Sequence, residues 1–259
     1  MSLPFLSPGQ FDAFVLILLR VGAIVVTIPV ISEASVPARF KAALTILITL
    51  IIFPLVVSKI PQTANFQVLI LMYRMAGEVM IGLIIGYAAR LVLAGIQMAG
   101  DIIGFQMGLS IANIIDPMSS EQVSIITELQ YLIALLIFLA VDAHHIFFAA
   151  IIHSYTILKP LEFHFSGPLM QAILNYSKEM FVIAIKLAVP LIAVMLFTNV
   201  GLGIVARTVP QINIFIVGMP LQIAIGLIFL GLTPPMFIKL TQGYFLNFES
   251  KIITLLRLM

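Results

Sequence analysis

The run 141–154, VDAHHIFFAAIIHS, carries the residue types most able to do chemistry: Asp142, His144, His145 and His153. Imidazoles beside a carboxylate serve either a metal ion or proton transfer. Asp142 lies three residues before His145, and His145 and His153 are two helical turns apart. On one helix those two rings stand about 12 Å apart, too far to share an ion unaided. The helical zinc signature HExxH is absent, as are GxSxG, a P-loop and GxGxxG. Ser119, Ser120 and Ser124 have no positioned base. The run therefore reads as the hydrogen-bonded end of a buried helix, and the chain as a non-enzyme without metal or cofactor.

A second set of reactive types is the lone charges set in apolar sequence: Glu78, Arg90, Lys186 and Arg207, with Arg20 and Arg74. A charge inside a hydrocarbon slab costs about 2.5–3.5 kcal/mol on insertion scales, so such groups face protein or water. A proton or ion relay clusters its charges, whereas these are scattered singly. Glu78, Arg90, Lys186 and Arg207 read as groups that pair with partner subunits and give register to an assembly. Arg20 and Arg74 fit snorkelling to an interface. A stand-alone small-solute or ion transporter is the alternative function, but no internal repeat of broken helices supports it.

The elements that position these groups follow from composition. Of 259 residues, 62% are hydrophobic and 9% charged, against about 25% charged in soluble domains. That is too little polar surface to face water, so an all-α integral membrane protein is expected. The net charge of +2 is small and says nothing about nucleic acid, but no basic cluster exists to bind phosphates, so no nucleic-acid partner is expected; zero cysteines exclude disulfides and thiolate metal sites. The N-terminus has no basic residue before Arg20, so the first apolar segment reads as retained. Six apolar blocks are expected within a single domain over 1–259, at 11–31, 42–57, 68–99, 123–153, 180–205 and 212–238. A span needs about 20 residues, which makes the second block short and the third and fourth long. Pro190 and Pro220 should kink or interrupt their helices. Lys and Arg in the connections favour both termini in the cytoplasm. The basic segment 239–259 suits a cytoplasmic surface or a partner.

Small residues mark where helices meet. Glu78, Gly82, Gly86 and Arg90 recur every four residues, the spacing of a groove that receives another helix. Gly100, Gly104 and Gly108 repeat that spacing in 100–122, GDIIGFQMGLSIANIIDPMSSEQ, before Asn113, Asp116 and Pro117 signal a turn. The sequence leaves open whether the packing is within the chain or between subunits. In the run 206–221, ARTVPQINIFIVGMPL, Arg207 and Pro210 end one helix, and Gln211 and Asn213 carry amides into the next. This reads as a polar hairpin, with Arg207 near the carbonyl end of the first helix.

The order EVMIGLIIGYAARLVLAGIQMAGDIIGFQMGLSIANIIDP, then FLAVDAHH, then ARTVPQINIFIVGMPLQIAIGL resembles the FliR-like subunits of the type III secretion export apparatus. The resemblance covers about residues 10 to 240 and favours the flagellar branch over virulence injectisomes. Ala143 in DAHH departs from the Gly of many relatives. It implies bent, kinked helical hairpins packed into a hetero-oligomeric export-gate bundle with FliP-like and FliQ-like membrane subunits, touching an FlhB-like subunit, in the bacterial inner membrane. Unfolded flagellar proteins would be the substrates, with energy supplied elsewhere. The resemblance also implies that the loop within 106–122 is a pore plug. Phe105, Met107, Ile111, Ile114, Ile115 and Met118 would supply apolar stoppers, Gly104 and Gly108 would let it bend, and Gln106, Asn113, Asp116 and Pro117 complete it.

Overall fold

The computed structural model describes residues 8–57, 68–109, 124–159, 162–211 and 213–259. Among these residues the chain is all-α, in nine helices: α1 (Pro8–Thr27), α2 (Ala38–Val56), α3 (Val68–Gln106), α4 (Ile125–Ala140), α5 (Ala143–Ile157), α6 (Gly167–Thr208), α7 (Ile214–Leu232), α8 (Pro234–Leu246) and α9 (Phe248–Leu258). A chain this apolar must satisfy its backbone polar groups internally, and a helix does so within one segment. Four helices are long and apolar enough to cross a membrane, and six spans result if the broken pairs α4–α5 and α7 with α8–α9 each count as one.

The helix ends differ from the apolar blocks for local reasons. The block at 42–57 is extended backwards by Ala38, Arg39, Phe40 and Lys41, giving α2 19 residues. Lys41 Nζ donates to the carbonyls of Ser32 and Glu33 at 3.1 and 2.9 Å, tying the start of α2 to the preceding turn. The long block at 123–153 breaks because Asp142 adopts φ 54°, a left-handed conformation that ends α4. Asp tolerates that region better than most residues. Pro190 and Pro220 lie inside α6 and α7 without interrupting either helix.

The chain forms two compact units, and α3 and α6 each give one part to both. In the first unit (Met1–Leu91, Val141–Tyr176 and Phe245–Met259), α1 buries Ala13, Leu16, Ile17, Val21, Ile24 and Val25, one stripe at helical spacing. The end of the chain folds back: α9 buries Phe248, Ile252, Leu255 and Leu256, and the Phe248 ring lies 5.3 Å from that of Phe147 on α5. The His164 amide and the Ser166 hydroxyl donate to the Met259 and Leu258 carbonyls. Residues 248–259, part of the segment suited to a surface or partner in the sequence, are thus docked on their own chain. In the second unit (Val92–Ala140 and Ser177–Tyr244), the later half of α3 is central, with Val92, Leu93, Ile96, Ala99 and Ile103 buried.

Candidate assembly and gating site

Arg20 occupies the buried stripe of α1, one turn after Leu16 and one before Ile24, and is 0% exposed. An arginine there must be matched or the stripe cannot be buried. Its Nε and Nη2 donate to the two carboxylate oxygens of Glu78 on α3, the second at 3.1 Å, in a bidentate pair. Nη1 donates to the carbonyls of Ser154 and Leu158, both at 3.1 Å. The guanidinium carbon stands 4.3 Å from the centre of the Tyr155 ring on α5. Glu78 is 1% exposed. Two expectations are corrected here. Glu78 is matched inside the chain, so it is not a register group for a partner, and Arg20 does not snorkel. The sequence hid this because the partners lie 58 and more than 130 residues away.

The glycine spacing continues from that pair. Gly82 and Gly86 sit against α1: a Cβ at Gly82 would overlap the Ala23 side chain, and one at Gly86 the Thr27 side chain. Thr27 buries its hydroxyl there by donating to the carbonyls of Ala23 and Ile24. The question left open by the sequence is answered for these two positions, whose packing is within the chain. Arg90 is exposed although it keeps the four-residue step. Each step of four rotates a helix by about 40°, so three steps from Glu78 carry Arg90 about 120° off the shared face.

In the second unit the same device recurs. A Cβ at Gly95 would stand 2.8 Å from the Met180 carbonyl oxygen of α6, and one at Gly100 2.6 Å from Cα of Thr127 on α4. The Thr127 hydroxyl donates to Asp101 at 2.6 Å across the same contact. Met107 is fully buried against α7, where a Cβ at Gly226 would stand 2.6 Å from its Cγ. Gly95 and Gly226 were not singled out in the sequence, because neither has another glycine four residues away and so neither belongs to a ladder.

The helix α3 ends in a defined cap. Gly108 takes φ 78°, its amide donates to the Phe105 carbonyl, and the Leu109 amide donates to the Gly104 carbonyl, both at 3.0 Å. That is the Schellman arrangement, which needs a residue free to turn left-handed. Gly108 therefore terminates the helix and does not continue the packing face of Gly100 and Gly104. Of the residues assigned to the plug, Gly104 and Met107 are buried, Gln106 is half-buried and Phe105 is 65% exposed. Ile111, Asn113, Ile114, Ile115, Asp116, Pro117 and Met118 lie outside the described residues.

Lys186, Arg207, Pro210, Gln211 and Asn213 are all exposed. Arg207 lies in the last turn of α6, where a cation complements the carbonyl end of the helix. The Asn213 carbonyl accepts the amides of Ile216 and Val217, opening α7. Further along these helices, Gln222 Nε2 donates to Asn199 Oδ1 at 2.5 Å, an exposed amide pair joining α7 to α6. On the same two helices Leu196, Phe197, Val200, Ile204, Ile216 and Ile228 are each at least 55% exposed. Such a surface is covered by lipid or by protein.

The family model of the bacterial export proteins, family 1, matches residues 11–248. The chain is 34% identical over 232 residues to the flagellar biosynthetic protein FliR of Bacillus subtilis (strain 168), covering 85% of both chains. It is 30% identical over 229 residues to that of Escherichia coli (strain K12), with 88% of this chain and 86% of the relative covered. With that of Caulobacter vibrioides it shares 34% identity over 235 residues, 88% and 91% of the two chains. A match of this extent runs through the Arg20–Glu78 pair, the glycine contacts and the uncovered faces of α6 and α7 alike, and the chain belongs to the bacterial export proteins of family 1, as a FliR-like component of flagellar biosynthesis.

Proposed function

We propose that this chain is a core subunit of the flagellar type III export gate, which forms and seals the pore for unfolded flagellar proteins in the bacterial inner membrane. FliP-like and FliQ-like membrane subunits cover the exposed faces of α6 and α7, and an FlhB-like subunit lies against the assembly. The observation that carries this reading is the extent of bare apolar surface on those two helices, interrupted by the Asn199–Gln222 pair. A polar pair held between apolar helices is better suited to a protein neighbour than to lipid tails. Arg90, Lys186 and Arg207 are then register groups toward partners.

The seal is assigned to the segment from Gly104 through Met118. The Schellman turn at Gly108 stops α3 abruptly, so the chain leaves the helix where Phe105 already points away from the core. Apolar stoppers exclude water and ions at a constriction. Purifying the chain with and without the products of the neighbouring export genes tests the reading. A stable large complex, formed only with them and lost with motility when α6 is altered, supports it. A well-behaved monomer or dimer that moves a small solute would instead establish the transporter.

A further inference from the structure

The break between α4 and α5 gathers Asp142, His144 and His145, and one ligand atom from each lies within 4.8 Å of the other two. Three features show that these groups are arranged and not merely adjacent. Asp142 stands at the start of α5 with φ 54° and ψ 26°, and its carboxylate makes no capping bond. A capping Asp ordinarily adopts an extended backbone and spends its oxygen on the helix amides, so the left-handed conformation releases this carboxylate. His144 Nδ1 is shut off from solvent with no hydrogen-bond partner among the described residues, a state that costs free energy unless something else fills it. The two imidazoles lie 4.2 Å apart between ring centres, and His145 Nδ1 is 3.9 Å from Asp142 Oδ1.

We infer that Asp142, His144 and His145 form a site for a divalent transition metal of the zinc class. Two imidazoles and one carboxylate are borderline-soft donors that suit Zn²⁺, Co²⁺, Ni²⁺ or Cu²⁺, whereas Ca²⁺ and Mg²⁺ take nearly all-oxygen shells. Tetrahedral bonds of about 2.0–2.1 Å place ligand atoms roughly 3.3 Å apart. Asp142 and His145 are both largely exposed, which leaves room for their side chains to close from 4.8 Å to that spacing. Three protein ligands leave a fourth position to water or to a neighbouring chain. The sequence pattern concealed the site because the obvious pair, His145 and His153, spans two turns, while the ligands that meet do so through a helix break.

The test uses the full chain in its detergent-purified export complex, carrying a tag without histidine and stripped by a chelator, then titrated with Co²⁺. One Co²⁺ per chain is expected, with visible d–d absorption of tetrahedral strength that Zn²⁺ abolishes. Asp142→Asn keeps a residue that tolerates the left-handed turn, and His145→Ala removes an exposed ring, so both should fold. Each should weaken binding at least about tenfold, while His153→Ala, on the same helix, leaves it unchanged. Absence of saturable binding, binding that both variants retain, or equal loss in His153→Ala would overturn the assignment.

Discussion

The helices α3 and α6 have nearly the same length, 39 and 42 residues, and similarly apolar sequences, yet 67% of an 18-residue apolar window of one is buried and only 33% of such a window of the other. The difference lies in what interrupts the apolar pattern. Along α3 it is broken by Glu78, Gly82, Gly86, Gly95 and Gly100, and each meets a specific neighbour: Arg20, Ala23, Thr27, Ile183 and Thr127. Along α6 the glycines at 201 and 203 have nothing among the described residues within 4 Å of a Cβ. One helix is a hub of its own chain, and the other presents small residues and bare apolar side chains outward.

The contrast can be broken most forcefully at the ion pair. Glu78→Leu leaves Arg20 buried without its counter-charge and should destabilise the protein by about 3–5 kcal/mol, read as a fall in thermal or denaturant midpoint in detergent. Replacing both, Arg20→Met with Glu78→Leu, should recover most of that loss, because paired removal leaves no orphan charge. If the single and double variants are equally unstable, the pair is not the reason α1 and α3 stay together.

Overpacking comes next. Gly86→Leu drives a side chain into Thr27 and should cost about 1–3 kcal/mol, and Gly100→Leu should cost a similar amount against Thr127. At Gly226 the neighbour is the flexible side chain of Met107, so Gly226→Ala should be milder, and Met107→Ala in the same chain should relieve it. Rescue is the informative outcome, since it distinguishes direct contact from a general loss of helix packing.

The smallest effects on the fold are expected on α6. Phe197→Ser or Ile204→Ser should shift the stability of the chain by no more than about 0.5 kcal/mol. The same variants should reduce recovery of the assembled complex and swarming motility. A large loss of stability without a loss of assembly would invert the comparison and make α6 an internal helix.

Much of this was legible before the fold was known. The helical class and the closeness demanded by Gly82, Gly86 and Gly100 follow from residue types at fixed spacing. Family resemblance carried the export role. Arg20 could have been suspected from its place in the stripe of Leu16, Ile17, Val21 and Ile24, since a charge on the buried face of a helix requires a partner. The partner itself could not be named, because no local pattern links residues 20, 78 and 154.

The sequence by itself determined that this chain is a set of apolar helices with small residues where backbones meet, because hydropathy and helical period are properties of neighbouring residues. Only the tertiary structure decided which surfaces those residues serve. It turned Glu78 inward to Arg20, made Gly108 a helix stop, and brought Asp142 to His144 and His145 through a left-handed turn. It also left more of α6 than of α3 exposed. These outcomes depend on contacts between segments distant in the chain and on single backbone dihedrals, and neither leaves a periodic trace in the order of the amino acids.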